Sequence, residues 1–218
     1  MNKKLQEYIE TNILPLYDNN FIGDGKDRVE YVLKRSKKII EENNLNVDYN
    51  ILYTVISYHD IRKNNDEKEH ELVSAEIMYN DETLKSIFTE DERKIIREAI
   101  EDQRANKNSE PRNIYGKILS SASRNSSIEQ TLKRSYKYGK KMNPNATDEE
   151  LFIGAYEALN KKFGKYGYAK FYFKDKDYEE FLVKIRELLN DKENFIKIQR
   201  EYINKLKEEG KLWTSILI

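Results

Sequence analysis

The sequence predicts an all-α protein with strand content near zero. Glycine and proline number only 8 and 3 in 218 residues, so the two strongest helix breakers are rare. Charged residues make up 36% of the chain, alongside abundant Leu, Ile and Asn, a composition that suits helices with charged outer faces. Apolar residues also recur at three- and four-residue spacing through most of the chain. The length fits one domain over residues 1–218, with a core at about 20–140 and a C-terminal helical extension at about 147–218. A chain of this size buries a core without covalent staples.

The elements follow in order. The first helix covers residues 3–13 and ends at Pro15, whose ring and missing N–H do not suit a helix interior. Residues 18–25 are rich in Asp, Asn and Gly and form a loop. A second helix starts near Asp27, with Val29, Val32, Leu33, Ser36, Ile39 and Ile40 at helical spacing, and Asn43, Asn44 and Asn46 end it. Asp48 is the N-cap of a third helix. Ile51, Leu52, Val55, Ile56 and His59 share its broad apolar face, which places it at the centre of the fold. A turn at Asn64-Asn65-Asp66 leads to a fourth helix over residues 67–79.

Thr89 and Glu92 form a capping box that opens a helix ending near Arg104. Residues 114–122, after Pro111, form an apolar helix, and Ser127 starts another that reaches about 141. Thr147 and Glu150 make a second capping box, for a helix to about 163. The aromatic stretch 165–173 alternates and predicts a short strand or an extended flap. Residues 178–207 are helical with a break near Asp191, and the tail 212–218 is apolar.

Composition excludes several classes. Lys plus Arg and Asp plus Glu both total 39, so no nucleic-acid footprint dominates the chain. There is no cysteine, which rules out disulfides and thiolate metal sites. The first residues lack a signal-peptide apolar run, and no stretch approaches the ~20 apolar residues that span a bilayer. The expectation is a soluble, cytoplasmic protein without membrane contact.

The chain has two histidines, His59 and His70. His59 is followed by Asp60, at the C-terminal end of the predicted central helix, about 100° further round. Such neighbours at a helix end can converge on one cation. Beside that stands the blander reading of a satisfied core histidine.

Tyr58-His59-Asp60-Ile61 at the end of a buried helix resembles the signature of the HD superfamily of metal-dependent phosphohydrolases. Asp24-Gly25-Lys26-Asp27-Arg28-Val29 stands where this group has a His-Gly-x-Asp-His-Val start. Glu69-His70-Glu71-Leu72-Val73-Ser74-Ala75 resembles its later histidine segment, and Glu101-Asp102-Gln103-Arg104-Ala105 a Glu-Asp-His-Arg-Ala segment. Pro111-Arg112-Asn113-Ile114-Tyr115-Gly116-Lys117-Ile118 is similar to a Pro-Arg-Ser-Ile-Tyr-Gly-Lys-Ile run of one small bacterial subgroup. Ser120 to Asn125 stands where that subgroup has Ala-Asp-Arg. The resemblance covers nearly the whole chain and implies a single HD-like helical domain. It also implies a divalent metal (Mn, Mg or Fe) as cofactor and nucleotides or small phosphate esters as substrates.

The resemblance assigns His59 and Asp60 to metal and catalysis, and His70 to an additional metal-ligand position. The first-histidine position is Arg28, another extra-histidine position is Gln103, and the closing aspartate position is Ser123. A guanidinium stays protonated and cannot ligate a metal. Arg28 therefore removes a ligand and adds a positive charge, and Ser123 removes a ligand and a negative charge. The expected outcome is weak metal binding or none. In that case Arg28 stands in for the metal by pairing with Asp60. Arg104, Arg112, Lys117 and Arg124 lie in the resembling segments and are candidate phosphate binders, with plain solvated charges as the alternative.

Three functions stay open. One is a site that no longer hydrolyses and holds a phosphorylated ligand such as a nucleotide. Another is a working phosphohydrolase with an atypical ligand set, to which Asp24 and Asp27 add oxygens. The third is a non-catalytic interaction scaffold. The apolar tail is a candidate homodimer contact, a core closure or a partner peptide.

Overall fold

A computed structural model describes residues 1–19 (side chains to 17), 25–62, 69–104, 109–169 and 172–213. Part of the predicted loop (Asn20 to Asp24), the turn at Asn64-Asn65-Asp66, Ala105 and the tail from Thr214 lie outside these residues. The described residues are helical and contain no strand. None of their helices is long and apolar enough to cross a membrane.

The chain divides into two compact units. The first holds Met1–Ser123 with Tyr172, Phe173 and Lys174, and the second takes up the chain at Arg124. The sequence reading grouped residues up to about 140 with the core; the helix after Ser127 belongs to the second unit.

In the first unit α1 (Lys3–Tyr8) runs into a π turn (Ile9–Ile13) and a 3-10 segment (Leu14–Asn19). Pro15 does not stop the chain from coiling: it sits near the start of a tighter helix, where its fixed φ fits and its missing N–H costs little. Next come α2 (Lys26–Glu42), α3 (Tyr49–Tyr58), α4 (His70–Asn80), α5 (Glu82–Lys85), α6 (Glu90–Glu101) and α7 (Ile114–Ala122). The short α5 was not legible in the sequence. Its start is fixed by Asp81, which accepts from the backbone of Thr83 and Leu84.

α3 is buried from Ile51 to Tyr58, as its apolar face predicted, and packs on α2, α6 and α7. Full burial of a side chain such as Ile56 is worth about 1.5–3 kcal/mol. At Gly116 a Cβ would lie 3.3 Å from the Ala99 backbone and 3.0 Å from Pro111 Cβ. Glycine there allows the close approach of α7 to α6.

The second unit contains α8 (Ile128–Met142), α9 (Asp148–Phe163), α10 (Lys176–Leu189) and α11 (Lys192–Glu208). The capping box at Thr147 is formed, and the break near Asp191 is the N-cap of α11. No strand forms in the described part of the aromatic stretch: after α9 the chain turns, and the Ala169 N–H donates back to the Lys162 carbonyl. The core of this unit is built on Phe163, Phe181, Ile185 and Phe195.

Candidate functional site

Asp48 caps α3 through the N–H groups of Asn50 and Ile51, and the helix delivers His59 at its far end, fully buried. His59 Nδ1 lies 2.6 Å from the Ile56 carbonyl oxygen. A carbonyl only accepts, so Nδ1 carries a proton and Nε2 faces the site. Nε2 is 3.3 Å from Asp60 Oδ2. The other Asp60 oxygen, Oδ1, is 3.2 Å from His70 Nε2 at the start of α4. The carboxylate thus lies between two imidazoles. The Asp60 backbone N–H donates to the Tyr17 hydroxyl at 3.2 Å, which ties the helix end to the 3-10 segment.

A second layer surrounds this group. Arg104 Nη2 is 2.7 Å from Glu71 Oε2 and 3.4 Å from His70 Nδ1. With His70 Nε2–H donating to Asp60, its Nδ1 is left to accept from Arg104, so charge and hydrogen bonds run from Arg104 through His70 to Asp60. Gln103 Nε2 donates to the His59 carbonyl at 2.7 Å and closes the end of α3. Asp60 and Glu71 are both buried, and Arg104 is partly exposed.

Arg28 is buried at the start of α2. Its Nη2 donates to the Ser123 carbonyl at the end of α7, and its guanidinium lies over the Tyr31 ring at 5.5 Å. Among the described residues, the Arg28 Nε and the Ser123 hydroxyl are buried without a hydrogen-bond partner. No ion pair joins Arg28 to Asp60 among the described residues. The expected surrogate pairing is therefore replaced by a contact between the two substituted positions, Arg28 and Ser123.

The remaining basic candidates sit in different surroundings. Arg112 donates from its backbone N and its Nε to Asp102 Oδ2, both at 2.9 Å, and from Nη2 to Asp102 Oδ1 at 3.2 Å and to Glu101. The bond to Asp102 drives its pKa further above the usual arginine range. Burial pushes the Glu101 carboxyl up, but hydrogen bonds from Arg112 and Arg97 outweigh it and leave the pKa below its ordinary value. Arg112 thus clasps the chain across residues 102–112. Lys117 pairs with Glu110 at 3.0 Å. Arg124 belongs to the second unit, where it lies over the Tyr178 ring at 5.3 Å. Asp27 is exposed, and Asp24 is outside the described residues.

The first unit thus brings together His59, Asp60, His70, Gln103 and Arg104, and separately joins Arg28 to Ser123. Sequence reasoning did not identify Glu71 or Tyr17 as members. Glu71 follows His70 in the chain, but its value as the Arg104 partner depends on where α6 ends. Tyr17 lies in a helical turn beyond Pro15, where the sequence reading ended the helix.

A divalent metal does not fit this donor set well. One expected ligand position presents a guanidinium and another a hydroxyl, and among the described residues no group of three or more His, Asp or Glu side chains is arranged to hold a metal ion. Compared with protein-family profiles, curated proteins and solved structures, the chain has no match.

Proposed function

We propose that the first unit is an HD-type phosphohydrolase domain in which metal-dependent hydrolysis has given way to binding of a small phosphorylated ligand, such as a nucleotide. The observation that carries this reading is the Arg28–Ser123 contact. Positions where the resembling proteins have a histidine and an aspartate instead hold a fixed cation against a carbonyl. A buried guanidinium with its Nε unsatisfied suits a phosphate oxygen better than a dication. Arg104, partly exposed beside His70 and paired with Glu71, is the second cation of this reading. The ion pair with Glu71 holds the Arg104 charge beside His70.

A second reading, an active phosphohydrolase with an atypical ligand set, is favoured by one observation. The Nε2 atoms of His59 and His70 both face the Asp60 carboxylate, within 3.3 Å. His59 also has its Nδ1 anchored on a backbone carbonyl, as metal-ligating histidines do.

Two measurements on the full chain separate these readings. Elemental analysis follows metal content before and after loading with Mn²⁺. Calorimetric titration with adenosine monophosphate, alongside a p-nitrophenyl phosphate assay, follows binding and turnover. The proposed reading expects no retained metal, saturable nucleotide binding and no metal-stimulated turnover. Near-stoichiometric Mn²⁺ with phosphatase activity would replace it by the second reading.

A further inference from the structure

We propose that the cavity between the N-terminal segment, α2 and α3 binds a small organic cation, an ammonium carried on an apolar body about the size of one ring. The cavity has a volume of about 320 Å³, within the range of small-molecule sites. Its floor is apolar, from Leu14, Val29, Leu33 and Leu52, and the phenol rings of Tyr49 and Tyr53 also line it. Such a lining takes up a ring or short alkyl body and excludes a bare hydrated metal ion, which needs a cage of oxygens.

The polar groups decide the sign of the ligand's charge. Glu30 from α2 and Glu10 from the π turn both line the cavity. Among the described residues neither is in an ion pair with a lysine or arginine. Glu10 is held by a neutral partner, Gln6 Nε2, at 2.8 Å, which fixes the carboxylate without neutralising it. Lys26 and Lys37 also line the cavity, but they lie about 16 Å apart along α2, with Glu30 between them. The negative charge therefore comes from Glu10, which acts on Tyr53, and from Glu30, which lies one helical turn from Lys26 and about two from Lys37.

An ammonium beside these carboxylates gains charge-assisted hydrogen bonds from them and the attraction of the tyrosine ring faces. A carboxylate or phosphate there meets two like charges. Burial, and behind it the Glu10 charge, pushes the Tyr53 phenol above its ordinary pKa, so Glu10 acts on that aromatic wall.

The π turn explains how Glu10 reaches the cavity. Ile9 and Ile13 stay in the core while Glu10 and Leu14 face the opening. Turns of this kind occur often at functional sites. The cavity is separate from the HD-like cluster: Lys26, Val29, Glu30, Leu33 and Lys37 occupy the side of α2 opposite Arg28 and Arg35.

The test is calorimetric titration of the full chain in phosphate buffer with phenethylammonium, and with 3-phenylpropionate as its anionic counterpart. Saturable binding of the cation alone is expected, about tenfold weaker in Glu10→Gln. Leu33→Trp, which fills the floor, should abolish it while thermal unfolding stays cooperative. No saturable binding, equal affinity for the two probes, or unchanged binding in Leu33→Trp overturns the proposal. If Leu33→Trp does not fold, amide chemical shifts of the unaltered chain decide. Changes confined to the N-terminal segment and the facing sides of α2 and α3 support the site, and changes centred elsewhere overturn it.

Discussion

Arg28 at the first turn of α2 donates to the carbonyl of Ser123 at the last turn of α7. The guanidinium joins the start of one core helix to the end of another. Removing it leaves a buried carbonyl without that donor. Arg28→Ala should therefore lower stability by about 1–3 kcal/mol, read as a shift in the denaturant midpoint at constant slope. Nucleotide binding should be lost as well. Arg28→Lys keeps the charge without the fork, so it should recover stability better than it recovers binding.

Restoring the resembling ligand set is the reverse experiment. Arg28→His with Ser123→Asp removes a positive charge and adds a negative one at the two positions where the resemblance places metal ligands. Mn²⁺ content should rise from background toward one ion per chain. Each single variant should remain well below the double, because a metal site needs its ligands together. A double variant that takes up no metal would count against an HD-type ancestry for this site.

These two positions also show what could be read from the chain. The helices of the first unit were legible because Val29, Val32, Ile39, Ile51, Val55 and Ile56 keep helical spacing and are buried. Caps such as Thr89 and Asp48 fixed helix starts from local chemistry alone. The His59–Asp60 neighbourhood was legible because it is sequence-adjacent and ends an apolar helix. The partner of Arg28 was not: a buried arginine takes the acceptor that packing brings to it, and here packing brings the end of α7. The 3-10 segment through Pro15 was hidden by a rule that holds for helix interiors and not for helix starts.

Tyr58 carries an alkaline prediction. Its hydroxyl donates to Asp81 Oδ2 at 2.7 Å, and Tyr8 donates to the same oxygen at 2.6 Å. Burial, then the bond and charge of Asp81, push the Tyr58 phenol far above its ordinary value of 10.0. Because the folded pKa is raised, the contribution of this group is fully present below the unfolded value. It is lost as pH climbs above about 10, where the unfolded chain ionises first. Stability measured by denaturant should fall through that window. Tyr58→Phe should cost about 1–3 kcal/mol at neutral pH and give a shallower alkaline decline.

Arg112 separates a structural arginine from a ligand-binding one. Its guanidinium and backbone N–H both bond to Asp102, a carboxylate that is 4% exposed. Arg112→Lys removes the planar fork and leaves part of that buried carboxylate unpaired. Stability should drop by about 1–3 kcal/mol. Nucleotide affinity, measured where the variant is fully folded, should stay within about twofold of the unaltered chain. The clasp holds the chain just after α6, and the folded site keeps Arg28 and Arg104. A tenfold or larger loss of affinity in the folded variant would instead place Arg112 at the ligand and make the clasp a resting state.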